Sequence, residues 1–117
     1  MNRKDKDEIT VFLGEGSSFS GDIKSAGGIR IDGYLKGNIS AKGHLVVGST
    51  GRVESERIDV EEATVAGWVS AEISAPRRVC LKSTAHFTGT IKTRSLVIEE
   101  GAFFSGHSAQ EQGKDDK

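Results

Sequence analysis

The chain has 117 residues, 28% of them charged with a formal net charge of -1, and 35% apolar. Length fits one domain, near-zero charge argues against dedicated nucleic-acid binding, and no run approaches the 18 or so apolar residues of a membrane-spanning helix. Glycine is abundant, with 15 residues, while proline occurs once, at Pro76, and cysteine once, at Cys80. A lone cysteine forms no internal disulfide and suits a reducing compartment.

In chain order, residues 1–10 are charged, net neutral and without an apolar signal-peptide core. They are expected to be a disordered tail without a secretory signal. Residues 11–108 form the folded core, and residues 109–117 are polar and expected to be a second disordered tail. In the whole chain, nine Ile and nine Val outnumber five Leu. Such β-branched side chains favour a pleated backbone. Short period-2 segments recur: Phe19, Gly21 and Ile23; Ile29 and Ile31; Leu35, Gly37 and Ile39; Leu45 and Val47; Leu96 and Ile98. No segment holds a helical apolar pattern for three turns, so the expected class is all-β.

These segments repeat. Phe19, Leu35, Val53, Val69, Phe87 and Phe104 follow one another at steps of 16, 18, 16, 18 and 17 residues. Two residues beyond each stands a small side chain: Gly21, Gly37, Ser55, Ala71, Gly89 and Gly106. Four beyond stands Ile23, Ile39, Ile73 or Ile91, with Arg57 and Ser108 as the exceptions. Later in each unit comes a spaced pair: Ile29/Ile31, Leu45/Val47, Ala63/Val65, Val79/Leu81 and Leu96/Ile98. A repeat of about 17 residues is one coil of a β-solenoid. The prediction is a single-stranded, right-handed parallel β-helix of about six triangular coils, a rod roughly 25 to 30 Å long.

Three local features compete with that reading. Asp32-Gly33 is a hairpin signal that would suit an antiparallel meander. Ile23, Ile29, Leu35, Ala41, Val47 and Val53 lie six apart, as in a left-handed hexapeptide solenoid of the acyltransferase type, but the phase breaks at Asp59 and Arg77. Residues 54–62 lack the glycine–isoleucine spacing, so the third coil is expected to be irregular.

Neither tail is apolar enough to cap a solenoid end, and the aromatic residues gather near the ends. Phe12 and Phe19 fall in the first coil, and Phe87, Phe103 and Phe104 in the last two. Adjacent strand residues face opposite sides, so only one of Phe103 and Phe104 points inward. Uncapped ends lined by aromatics are expected to associate, which makes these five residues the candidate self-assembly interface. Tyr34 and Trp68 face outward and are candidates for partner or lateral contacts. His44, His86 and His107 also face outward at different phases, without forming a metal site. Cys80 lies between inward residues and faces out. The pairs Glu61-Glu62 and Glu99-Glu100 diverge in a strand and make no shared catalytic cleft. No nucleotide-binding fingerprint is present. The expected protein is not an enzyme and needs no cofactor, metal or nucleotide. The alternatives are the acyltransferase and a monomeric binding module.

The opening Phe12-Leu13-Gly14, Gly16, Phe19, Gly21 and Ile23, with the closing Leu96-Val97-Ile98-Glu99-Glu100-Gly101-Ala102-Phe103-Phe104-Ser105-Gly106, resembles the bactofilin family over residues 11–108. The resemblance implies a right-handed triangular β-helix and nucleotide-independent filaments in which like ends of the cores meet. It implies a polymer contact at Phe104. It also implies a cytoplasmic cytoskeletal scaffold for cell-shape, cell-wall or chromosome-segregation proteins. Some members carry an apolar N-terminal membrane anchor. Here only Met1 is apolar before Ile9, so the tail is weakly suited to membrane association.

Overall fold

A computed structural model describes residues 8–110, and among these there is no helix. Fourteen short strands, numbered β1 to β14 in chain order, pair in parallel throughout. They wind into a six-turn β-solenoid. Strand pairing begins at Ile9 and continues to Gln110, two residues beyond the expected core at each end. Residues 1–7 and 111–117 of the two expected tails lie outside the described residues.

One face stacks β1 (Ile9–Leu13), β4 (Gly28–Ile31), β7 (His44–Val47), β9 (Glu62–Val65), β11 (Arg78–Leu81) and β13 (Leu96–Ile98) in that order. Their inward pairs form two columns, Ile29–Leu45–Ala63–Val79–Leu96 and Ile31–Val47–Val65–Leu81–Ile98. Val11 and Leu13 of the first coil continue them. The other two faces share one sheet. Coils 1 and 2 cross it as separate strands: β2 (Ser18–Ser20) with β3 (Ile23–Ser25), and β5 (Tyr34–Lys36) with β6 (Ile39–Ala41). Later coils cross it as the unbroken strands β8 (Arg52–Asp59), β10 (Trp68–Ser74), β12 (His86–Thr93) and β14 (Phe103–Gln110).

The repeat anchors align one above another: Phe19 on Leu35, then Val53, Val69, Phe87 and Phe104. The Asp32-Gly33 turn joins two parallel faces and makes no hairpin. It follows Ile31, already paired to β1, so the chain turns a corner there.

The small residues two beyond each anchor mark another corner. Gly37, Gly89 and Gly106 have φ of 149°, 132° and 145°, which L side chains rarely adopt. A Cβ on any of them would strike the carbonyl of the residue stacked on it in the preceding coil. Close layering therefore needs glycine there.

The third coil is irregular in a defined way. Glu54 pairs with Ser70 and Arg57 with Glu72, leaving Ser55 and Glu56 opposite one residue, Ala71. This β-bulge shifts the alternation by one. Ile58, not Arg57, then points inward between Ile39 and Ile73, and is fully buried. The Asn38 side-chain carbonyl holds the bulge by accepting hydrogen bonds from the amides of Glu56 at 3.2 Å and Arg57 at 3.1 Å.

Twenty-one buried apolar residues, from Ile29 to Ile91, fill coils 2 to 5. Each layer is thin, which explains how so few large aliphatics suffice. The third face adds a column of smaller buried residues, Ala41, Val60, Ala75 and Thr93. The buried Thr93 hydroxyl is satisfied by the Ser95 carbonyl and amide, both at 3.3 Å.

Candidate self-assembly surfaces

The two ends differ from the middle in burial and in backbone pairing. Strands β1, β2 and β3 have a neighbour on one side only, as do β13 and β14. Their free edges carry backbone donors and acceptors in the direction of the solenoid axis. At the first coil, Phe19 is 38% exposed, and Val11, Leu13 and Ile23 are half-buried. At the last coil, Ile98 is 45% exposed, and Leu96, Ala102 and Phe104 are half-buried. These are inward positions that lack the layer which would cover them.

Phe104 lies over Phe87, with ring centroids 5.7 Å apart. Phe87 is fully buried beneath it. That corrects the expectation for Phe87: it supports the end from one layer below and presents no surface to a neighbour. Phe19 and Phe104 occupy the same inward column at opposite ends. Phe12 and Phe103 do not. Phe12 stacks in register with Arg30 on the outside of the first face and is 62% exposed, while Phe103 lies outside the second face at 49% exposure. Both are flank positions of the terminal coils.

The last coil is also chemically lopsided. Ser108 takes the place stacked on Ile91, so the aliphatic column of the third face ends one coil early. The apolar end is therefore made by two faces, through Leu96, Ile98, Ala102 and Phe104.

Tyr34 and Trp68 do point outward, and the register places them in one column. Tyr34, Arg52, Trp68, His86 and Phe103 succeed one another along the second face. The Arg52 guanidinium lies 4.3 Å from the Trp68 ring centroid. His86 stacks 6.1 Å from Trp68 and 4.4 Å from Phe103, with interplanar angles of 13° and 20°. Stacked rings of this kind hold one another in place and present their edges outward. The sequence reading expected Tyr34, Trp68 and His86 to face outward. It did not reveal the ladder, because its members are of different types and their spacing follows the unequal coil lengths.

At the foot of the ladder, the Tyr34 phenol is raised above the ordinary tyrosine value. Loss of solvent is the main cause, followed by its hydrogen bond to Glu54 and that residue's charge; Arg52 opposes them.

His44 Nε2 lies 2.8 Å from Thr64 Oγ1. Glu61 pairs with Arg77 at 3.7 Å and Glu99 with Lys82 at 3.4 Å, each across one coil step. No group of three or more His, Cys, Asp or Glu among the described residues could hold a metal. Cys80 is half-buried on the outside of the first face, in register with Thr64 and Val97.

The profile described as "Bactofilin: Polymer-forming cytoskeletal" matches residues 11–109. Among curated proteins, the chain is 34% identical over 95 residues to bactofilin BacO of Myxococcus xanthus, covering 81% of this chain and 75% of that protein. It is 38% identical over 97 residues to bactofilin BacN of the same organism, covering 83% and 85%. Among solved structures, it is similar to a bactofilin of Thermus thermophilus reconstructed by cryo-electron microscopy as double helical filaments, with a TM-score of 0.82, 40% identity, and 86% of this chain and 99% of that one covered. It is also similar to the cytoskeletal bactofilin BacA determined by solid-state NMR, with a TM-score of 0.75, 34% identity, and 86% and 95% covered. Matching the family profile over nearly all of its described length and two family members at more than 30% identity, this chain belongs to the bactofilin family of polymer-forming cytoskeletal proteins.

Proposed function

We propose that this chain assembles end to end, without nucleotide or metal, into filaments whose junctions are made by the first and last coils. The observation that carries this reading is the pair of uncovered solenoid ends. Each combines free parallel strand edges with apolar inward side chains that lack a covering layer. A second copy supplies both missing elements, continued backbone pairing and burial of Phe19 at one end or Phe104 and Ile98 at the other. Phe12 and Phe103 extend the contact at the flanks, and Phe87 supports Phe104 from beneath. The meeting of like ends, as the family resemblance implies, would place each type of end at alternate junctions. The filament would then serve in the cytoplasm as a scaffold for cell-shape, cell-wall or chromosome-segregation proteins.

Negative-stain electron microscopy of purified protein without nucleotide or divalent ions tests assembly. Filaments are expected across a range of salt. Phe104→Arg places a charge in the junction while keeping the fold, so it should leave folded protein without filaments. Filaments as long as those of the unsubstituted chain would remove Phe104 from the junction. For scaffolding, a filament-bound fraction should retain cell-wall or segregation proteins that Phe104→Arg protein does not.

A further inference from the structure

On the first face one outward column is uncharged, through Val46, Thr64, Cys80 and Val97, but it runs beside Glu62 and Arg78. Both outward columns are free of charge over three successive coils in one place among the described residues. On the second face, coils 4 to 6 present Trp68, Ser70, His86, Thr88, Phe103 and Ser105, with no Asp, Glu, Lys or Arg among them. The same face in coils 2 and 3 carries Lys36, Arg52 and Glu54. The third face carries Arg57, Asp59, Glu72 and Lys92.

Two further properties suit this patch to a contact. Its three rings are held by stacking on one another, at 6.1 and 4.4 Å, so little side-chain freedom is lost on contact. Its hydroxyls, Ser70, Thr88 and Ser105, form no hydrogen bond within the described residues.

We propose that this charge-free patch is the lateral contact between neighbouring filaments of this chain. The proposal rests on end-to-end assembly as its starting point. The occupant is a second copy for three reasons. Two identical uncharged surfaces meet without like-charge repulsion, whereas the charged faces would have to match in sign and register. Free hydroxyls on both sides donate and accept. The patch also runs up to the last coil, so two subunits meeting there bring their patches together on either side of one junction.

Size explains why such pairing would follow polymerisation. Three layers at about 4.8 Å give a strip roughly 14 Å long and two side-chain columns wide. That is a few hundred Å² per subunit, well below the ~1,000 Å² of a stable protein pair. Single subunits would not stay together through it. In a filament the strip recurs with every subunit, and the contacts act as one multivalent interaction.

The test compares filament widths by electron microscopy for the unsubstituted chain, Thr88→Lys, Thr88→Glu and Ser40→Lys, with circular dichroism verifying the fold. Thr88 is exposed in the middle of the patch, and Ser40 is exposed on the third face. The unsubstituted chain and Ser40→Lys should give paired filaments, and Thr88→Lys single ones of unchanged length. Mixing preformed Thr88→Lys and Thr88→Glu filaments at low salt should restore pairs. Paired Thr88→Lys filaments would overturn the proposal, as would single filaments of the unsubstituted chain or separation by Ser40→Lys. So would failure of the mixture to pair, the result expected if the strip serves a different protein. Folded Thr88→Lys without filaments would assign the patch to the end junction instead. Loss of filaments in every sample, the unsubstituted chain included, would defeat end-to-end assembly itself.

Discussion

Gly89→Ala isolates the stacking requirement at the glycine corner. Two energetic effects are expected. Alanine at φ 132° carries a backbone strain of about 1–3 kcal/mol. Its Cβ would also fall well inside 3.0 Å of the Ala71 carbonyl oxygen, a separation that real Cβ atoms do not reach. Relief requires coils 4 and 5 to part locally, where β10 and β12 run in continuous register from Trp68–His86 to Ser74–Lys92. Loss of two ladder hydrogen bonds adds about 2 kcal/mol at roughly 1 kcal/mol each. The expected total is about 3–5 kcal/mol. Gly16→Ala provides the comparison. Gly16 also has positive φ, 88°, but nothing lies within 4 Å of its Cβ position, so it reports strain alone, about 1–2 kcal/mol. Urea unfolding followed by circular dichroism, in a Phe104→Arg background so that assembly does not contribute, measures both. A Gly89→Ala loss within 1 kcal/mol of that for Gly16→Ala would refute the argument that close coil stacking, rather than φ, demands glycine.

Phe87→Ala removes a fully buried ring of the penultimate coil and should cost about 3–5 kcal/mol in the same assay. Asn38→Ala leaves the Glu56 and Arg57 amides to water at an exposed site, so the expected loss is about 1 kcal/mol, read as a lower urea midpoint with an unchanged slope. The phenol of Tyr34 donates to Glu54 only while protonated, so its ultraviolet titration should have a midpoint above that of free tyrosine, and Glu54→Gln should bring it down. An unshifted midpoint in the unsubstituted chain would remove that interaction.

The solenoid was legible because its packing is periodic in one dimension. All six anchors and all five spaced pairs chosen from the sequence occupy the columns expected of them. The exception at Arg57 and the missing glycine–isoleucine spacing over 54–62 marked the third coil as irregular, but not the form of the irregularity. The bulge depends on Asn38, one coil earlier in the chain, and no local pattern at Ser55 or Glu56 signals it. Buried Val60 and Thr93 escaped notice because the third face tolerates small and polar residues, which weakens the apolar period. At the ends, chain position identified the terminal coils but not depth. Phe87 and Phe104 share one column, and only the count of layers tells which of them is covered.

The uniform parallel register also makes each coil a unit of length. Val79 pairs with Leu96, and the step from one to the other encompasses a full circuit. Excising residues 79–95 would join Arg78 to Leu96 with every inward column still in phase, setting Phe104 directly on Val69. Both terminal surfaces would survive, and the subunit would shorten by about 4.8 Å. Solenoid architecture thus separates two properties that a globular subunit entangles: the chemistry of the ends and the distance between them. The axial spacing at which such a rod could display bound molecules would be encoded simply by how many circuits the chain makes.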